Sequence, residues 1–348
     1  MSTLLALNAP VPTSTLSFEH LFDGDDAELV RLSRLRRSFA ESATVPEAAF
    51  AYRNAWISFW RRNIRFVGSS ARSREPLRFE WHVQLFSNDS HSIEYTDPSP
   101  LLETACITFA AVAAHQRLAG EATNLADAES HAQHALTLLA WLREHAISVA
   151  RRISEPPPSR DAHLSLEAAM RLEISSNYVR LRAPELLSPY LVTAVERAIS
   201  AQLHCKRAIN ALSAASGMPL EAASQFFAGA RLFDRASHTL PAETTLVTAY
   251  RRVTALGYRY LAQALVDEGT PAHHGVAIAL AREAVALDTT STSLSRFNDE
   301  MRERNRIEFG MQSVPSNGAI VLDFTRESTL RVAQDPLTSH YTISVPLP

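Results

Sequence analysis

The sequence predicts a mainly α-helical protein, with a solenoid-like core of stacked helices, a small β element near Phe79–Phe86 and an extended C-terminal tail. Three observations carry this expectation. Glycine is scarce, at 10 in 348 residues, while hydrophobic residues reach 46 % and charged residues 20 %. That composition supports a sizeable core and differs from that of disordered chains. Apolar residues recur at three- and four-residue spacing through most of the chain, the signature of amphipathic helices. Prolines stand at the starts of several of these segments (Pro189, Pro219, Pro241 and Pro271), in the first turn, where a missing N–H costs nothing.

Taken in order, an irregular head runs to about His20. Asp25 or Asp26 then offers an N-cap, and Glu28 complements the first turn of a helix carrying Leu29, Leu32, Leu35 and Phe39. After Val45-Pro46 a second helix carries Ala49, Tyr52, Trp56, Phe59, Trp60 and Ile64. A polar loop leads to LRFEWHVQLF, whose alternation of Phe79, Trp81, Val83 and Leu85 reads as a strand or hairpin arm. From Pro100 helices dominate, one lined by Leu102, Ala105, Phe109 and Val112, the next by Leu125, Ala132, Leu136, Leu139 and Leu142. Ser154-Glu155-Pro156-Pro157-Pro158-Ser159 reads as an exposed polyproline-like connection. Helices are expected at about 161–182, 189–214, 219–238, 242–268 and 272–288. In the fourth of these, Gly257 is available for close helix contact. From about Ile307, IVLDF and HYTISVPLP read as extended chain that packs back over the helices, since their apolar residues need burial. The whole reads as one domain over 1–348.

Charge and motifs narrow the function. A formal net charge of −3 points away from nucleic acid, although Arg31 to Arg78 holds eleven arginines against Glu41, Glu47 and Glu75. Cys106 and Cys205 lie far apart without CxxC spacing, which fits neither a disulfide framework nor a zinc site. The start lacks the basic region of a signal peptide, and the longest apolar run, ACITFAAVAA, is half the ~20 residues that span a bilayer. A cytoplasmic protein is expected. No GxG, P-loop, GxSxG or HExxH pattern occurs, so no enzyme, cofactor or metal site is expected. His131 and His134 share a helix face at a spacing suited to a metal, but the sequence shows no third ligand, and a solvated face is the simpler reading. His273-His274 reads as loop. In RNAWISFWRRNIRF, aromatic residues alternate with arginines, as in an interfacial membrane helix. A buried aromatic face with wet arginines is preferred, because the aromatics supply several kcal/mol of core, of order 2 each. Arg61, Arg62 and Arg65 remain candidates to face anionic lipid.

Several segments, in order, resemble the BRO domain, the boomerang-shaped helical domain of ALIX-type ESCRT adaptors. They are Leu35-Arg36, the aromatic helix from Tyr52 to Phe66, Phe79-Glu80-Trp81, and LLETACITFAAVAAHQRLAG with Glu103, Phe109 and Gln116. TLPAETTLVTAYRRVTALGYRYLAQAL, GVAIALAREAVAL and the Asn305 to Val314-Pro315 exit complete the set. The resemblance covers about residues 15–340. This sequence departs from the family at Ile107-Thr108-Phe109-Ala110, which lacks the family's Asn. It departs again at Ala201-Gln202, followed by Leu203-His204 where an acid falls, and at Phe309, in place of a tyrosine. The resemblance implies a divergent, elongated, non-enzymatic adaptor in endosomal sorting or membrane remodelling. It also implies a groove that docks the C-terminal amphipathic helix of an ESCRT-III subunit beside His204, Met218 and Leu220. Ordinary core packing is the competing account of Met218 and Leu220. Two other functional readings are a repurposed scaffold that keeps the fold and binds lineage-specific proteins, and, less favoured, an enzyme with an unrecognised pocket.

Overall fold

A computed structural model describes residues 5–14, 16–18, 27–43, 45–67, 79–86, 93–97, 100–147, 188–213, 217–308, 311–316, 318–325, 329–336, 338 and 340–348. The polyproline-like connection, the helix expected at 161–182 and the Asp25 or Asp26 cap lie outside them. The chain divides into two compact units, Met1–Ile199 and Ser200–Pro348.

In the first unit, β1 (Val11–Pro12), β2 (Phe79–Val83) and β3 (Ile93–Asp97) form an antiparallel sheet in that order, with Trp81 opposite Tyr95 and Val11 opposite His82. The head is therefore more ordered than its sequence suggests: Leu5, Leu7 and Phe18 are buried. Helices α1 (Ala27–Glu41), α2 (Pro46–Val67), α3 (Pro100–Glu121) and α4 (Leu125–Leu142) follow the apolar periodicity. Asn124 caps α4, its side chain accepting from the Asp127 N–H at 2.8 Å. A π-turn at Arg143–Ile147 extends this helix.

The alternation of β2 buries Phe79, Trp81 and Val83. Trp56 of α2 is 1 % exposed and packs on Phe18 and Phe79, each with ring centroids 5.7 Å away, while its indole N–H donates to Thr104 Oγ1 at 2.9 Å. The preferred core reading of this helix holds at Trp56 and Phe59, both buried.

One buried network ties the unit together. Glu103 Oε1 accepts from Arg36 Nε at 2.9 Å and from the Tyr52 hydroxyl; its Oε2 accepts from Trp81 Nε1 at 2.6 Å. Burial works against the Arg36 charge, but Glu103 and Tyr52 outweigh it and raise the pKa; burial first, then Glu103, pushes the Tyr52 phenol well up. Gln116 fixes the head, donating to Leu5 O at 2.7 Å and accepting from the Leu7 N–H at 3.2 Å.

Helix α5 (Pro189–Ser213) leads into the second unit, which holds α6 (Pro219–Thr239), α7 (Thr244–Asp267), α8 (Pro271–Leu287) and α9 (Thr292–Ile307). Close contact at Gly257 is as expected: a Cβ there would meet the Phe227 ring at 2.7 Å. The loop reading of His273-His274 is corrected. Both stand in the first turns of α8, and buried His274 donates from Nε2 to Met301 O at 3.2 Å.

The run of α9 is not anticipated from the sequence; its apolar stripe is thin, with Leu294, Phe297 and Met301 buried among many charges. The extended tail segments are strands β4 (Ile320–Thr325), β5 (Arg331–Gln334) and β6 (Tyr341–Pro346). Central β6 pairs parallel to β4 and antiparallel to β5. As expected they pack back on helices of their own unit: Ile343 and Val345 join Leu261, Leu265, Val276 and Leu280 in one core.

Candidate functional site

Two of the three partner-binding residues expected from the sequence stand at one hollow of the second unit. Gly217 takes a left-handed φ of +51°, the Met218 N–H donates to Ala211 O at 3.2 Å, and Pro219 starts α6. This turn holds Met218 outside the first helical turn, where it is 41 % exposed. Leu220 is half-buried and packs against the unit's core.

Both line a hollow of about 890 Å³, whose other walls include Ala264 and Asp267 of α7 and Leu347 of the C-terminal segment. That segment is held by Ser224, whose hydroxyl donates to Pro346 O at 2.6 Å. His204 does not itself line the hollow. It reaches the wall through Gln225, donating from Nδ1 to Gln225 Oε1 at 2.8 Å, which leaves its Nε2 with the lone pair. Burial holds the His204 pKa below its ordinary value, against the Gln225 hydrogen bond. The imidazole therefore stays neutral further into acid than its sequence alone suggests.

Met218 and Leu220 also answer the core-packing alternative differently. Leu220 contributes to the core edge, whereas Met218 offers its thioether to whatever enters. Around them the rim is acidic, with Glu221, Asp267 and Glu268. The hollow thus combines apolar lining from Met218, Leu220, Ala264 and Leu347 with an acidic rim.

Arg61, Arg62 and Arg65 lie on α2, but their side chains fall outside those described. His131 and His134 lie on α4 as expected, and His115 of α3 stands against both, a third imidazole that no spacing in the sequence reveals. No helix among the described residues is long and apolar enough to cross a membrane.

No family model and no curated protein matches the chain in sequence. Solved structures do match it, and they identify the class: the fold is that of the Bro1 domain, in divergent form. The chain is similar to the ALIX BRO1 domain of a CHMP4C complex, with a TM-score of 0.53 and 15 % identity over 90 % of this chain and 91 % of that one. ALIX bound to the SIVmac239 PYKEVTEDL late domain matches at a TM-score of 0.53 and 15 % identity, over 89 % of this chain and 46 % of that longer one. A Bro1 domain described for endosomal targeting matches at 0.51 and 14 %, over 89 % and 87 %.

Proposed function

We propose that this chain is a non-enzymatic, protein-binding adaptor that docks an amphipathic helix of ESCRT-III type in the hollow beside Met218 and Leu220. The observation that carries the reading is an exposed methionine and a half-buried leucine lining a hollow of about 890 Å³, in a chain with the fold of a domain solved with CHMP4C. Helix-in-groove binding concentrates its energy in a few apolar anchors. Methionine suits such a surface because its unbranched, polarizable side chain adapts to its guest.

The test is titration of labelled ESCRT-III C-terminal peptides by fluorescence anisotropy. Met218→Asp places a charge where an apolar anchor is needed and is expected to weaken binding by roughly thirtyfold, about 2 kcal/mol, without unfolding the chain. Leu220→Asp serves only if circular dichroism shows it folded, since Leu220 also supports the core edge. No affinity of the folded wild type at high micromolar peptide would remove ESCRT-III from the proposal. The acidic rim of Glu221, Asp267 and Glu268 favours the second reading in that event, a repurposed scaffold with a lineage-specific partner carrying a basic flank.

A further inference from the structure

Three imidazoles meet on the faces of α3 and α4 in the first unit. His131 and His134 are three residues apart on α4, and so share one side of that helix. His115 projects from α3 between them. Its Nδ1 lies 3.3 Å from His131 Nδ1, and its ring stacks on that of His134 with centroids 5.2 Å apart and planes 11° from parallel. Phe50 covers the His115 ring, with centroids 4.3 Å apart. His115 and His131 are half-buried, and His134 is exposed.

The hydrogen bonds fix where lone pairs are available. A carbonyl accepts only, so the 2.7 Å contact of His134 Nδ1 with Ser130 O is a donated N–H, and His134 Nε2 keeps its lone pair. The facing Nδ1 atoms of His115 and His131 share a single proton, one donating and the other accepting. Two ligand nitrogens on a tetrahedral ion with bonds of about 2.0–2.1 Å stand roughly 3.3–3.4 Å apart. The 3.3 Å separation of this hydrogen-bonded pair also matches the spacing that such a chelate requires.

We propose that His115 and His131 form a binding site for a borderline divalent cation of the zinc type, with His134 as a third ligand and water completing the shell. Uptake replaces the shared proton. The ring that donates it becomes the Nε2–H tautomer, both imidazoles stay neutral, and the ion accepts one Nδ1 lone pair from each. His134 joins through Nε2 by a side-chain rotation, which its exposure permits. Among the described residues no three His, Cys, Asp or Glu side chains already converge on one metal position, so this rotation is part of the site's formation.

Arg53, held with its guanidinium carbon 5.0 Å from the Trp141 ring centroid, adds a positive charge that opposes a dication.

The experiment uses the untagged full chain, stripped of metal and titrated with Co²⁺ and then Zn²⁺. Histidine side-chain NMR reports which rings respond, and visible absorption reports the coordination geometry of cobalt. One equivalent is expected, shifting the His115 and His131 ring nitrogens. His115→Phe, which keeps the stack on Phe50, and His131→Asn should each weaken Zn²⁺ binding at least tenfold, and His134→Gln a few-fold. The NMR readout on wild type stands even if a variant fails to fold. No uptake, uptake at other histidines, or unchanged affinity in folded His115→Phe and His131→Asn would overturn the proposal.

Discussion

Replacing Glu103 by glutamine changes one atom type in a side chain that is fully buried and serves three donors. The amide keeps the shape but offers a single acceptor oxygen. Its NH₂ then faces a group that itself donates, either the Trp81 indole or the pair of Arg36 and Tyr52. Arg36 is 1 % exposed and keeps its charge without a counter-charge. Removing one partner of a buried ion pair costs about 3–5 kcal/mol. At ~2–4 °C per kcal/mol for a body of this size, the melting temperature should fall by about 6–20 °C.

All four tryptophans (Trp56, Trp60, Trp81 and Trp141) lie in the first unit, so urea unfolding followed by their fluorescence reads the effect where it occurs. The control is Glu103→Leu with Arg36→Met, which removes both charges. If the network's cost lies in an orphaned charge, this pair is less damaging than Glu103→Gln alone. A single-variant loss below about 1 kcal/mol, within the range of exposed pairs, or a double variant worse than the single, would refute the reasoning.

Three other outcomes are expected. Gly275→Ala should destabilise by about 1–3 kcal/mol in thermal unfolding, although alanine ordinarily improves a helix interior, because its Cβ would meet Ser313 O at 2.0 Å; unchanged or raised stability would contradict the packing of the 311–316 segment on α8. Burial, with Arg304, lowers the His274 pKa against Met301 O and Glu308. The unfolded chain then binds more protons below about pH 6.5, so stability should fall as pH drops through that value. His274→Gln should flatten that slope in denaturant titrations from about pH 5 to 7.5; an identical slope would exclude this origin. Arg61→Glu with Arg62→Glu should leave circular dichroism unchanged and reduce co-sedimentation with anionic vesicles only if that face meets membrane; equal sedimentation would dismiss these arginines as a lipid-facing set.

Periodicity made most of the fold legible. Segments expected at 189–214, 219–238, 242–268 and 272–288 differ from α5 to α8 by at most two residues at any end. It failed at α9, where mean polarity is high and only a narrow stripe is buried, and in the head, whose strand is two residues long and defined by a partner some seventy positions away. The residues that carried the resemblance prove to have a shared physical cause. Arg36, Trp81 and Glu103 come from three different elements and converge on one buried carboxylate, while Gln116 latches the head and Asn305 closes the exit, its side chain bonding both ways to the Gln312 backbone. Buried polar groups demand specific partners, so their positions stand out one by one, yet nothing in the sequence says that they meet. The hollow was legible as two residues, Met218 and Leu220, and its acidic rim was not, because Asp267 and Glu268 end a different helix. His115 was silent for the same reason.

The wall that Leu347 and Pro348 give the hollow has a practical consequence. A peptide fused after Pro348 through a short flexible linker starts beside the hollow and meets it at an effective concentration in the millimolar range. Were the hollow to bind that peptide with an affinity of about 10 μM, such a fusion would occupy it almost completely. If the proposed docking holds, a weak cognate sequence placed there becomes a self-contained reporter, displaced by free partner in proportion to its strength.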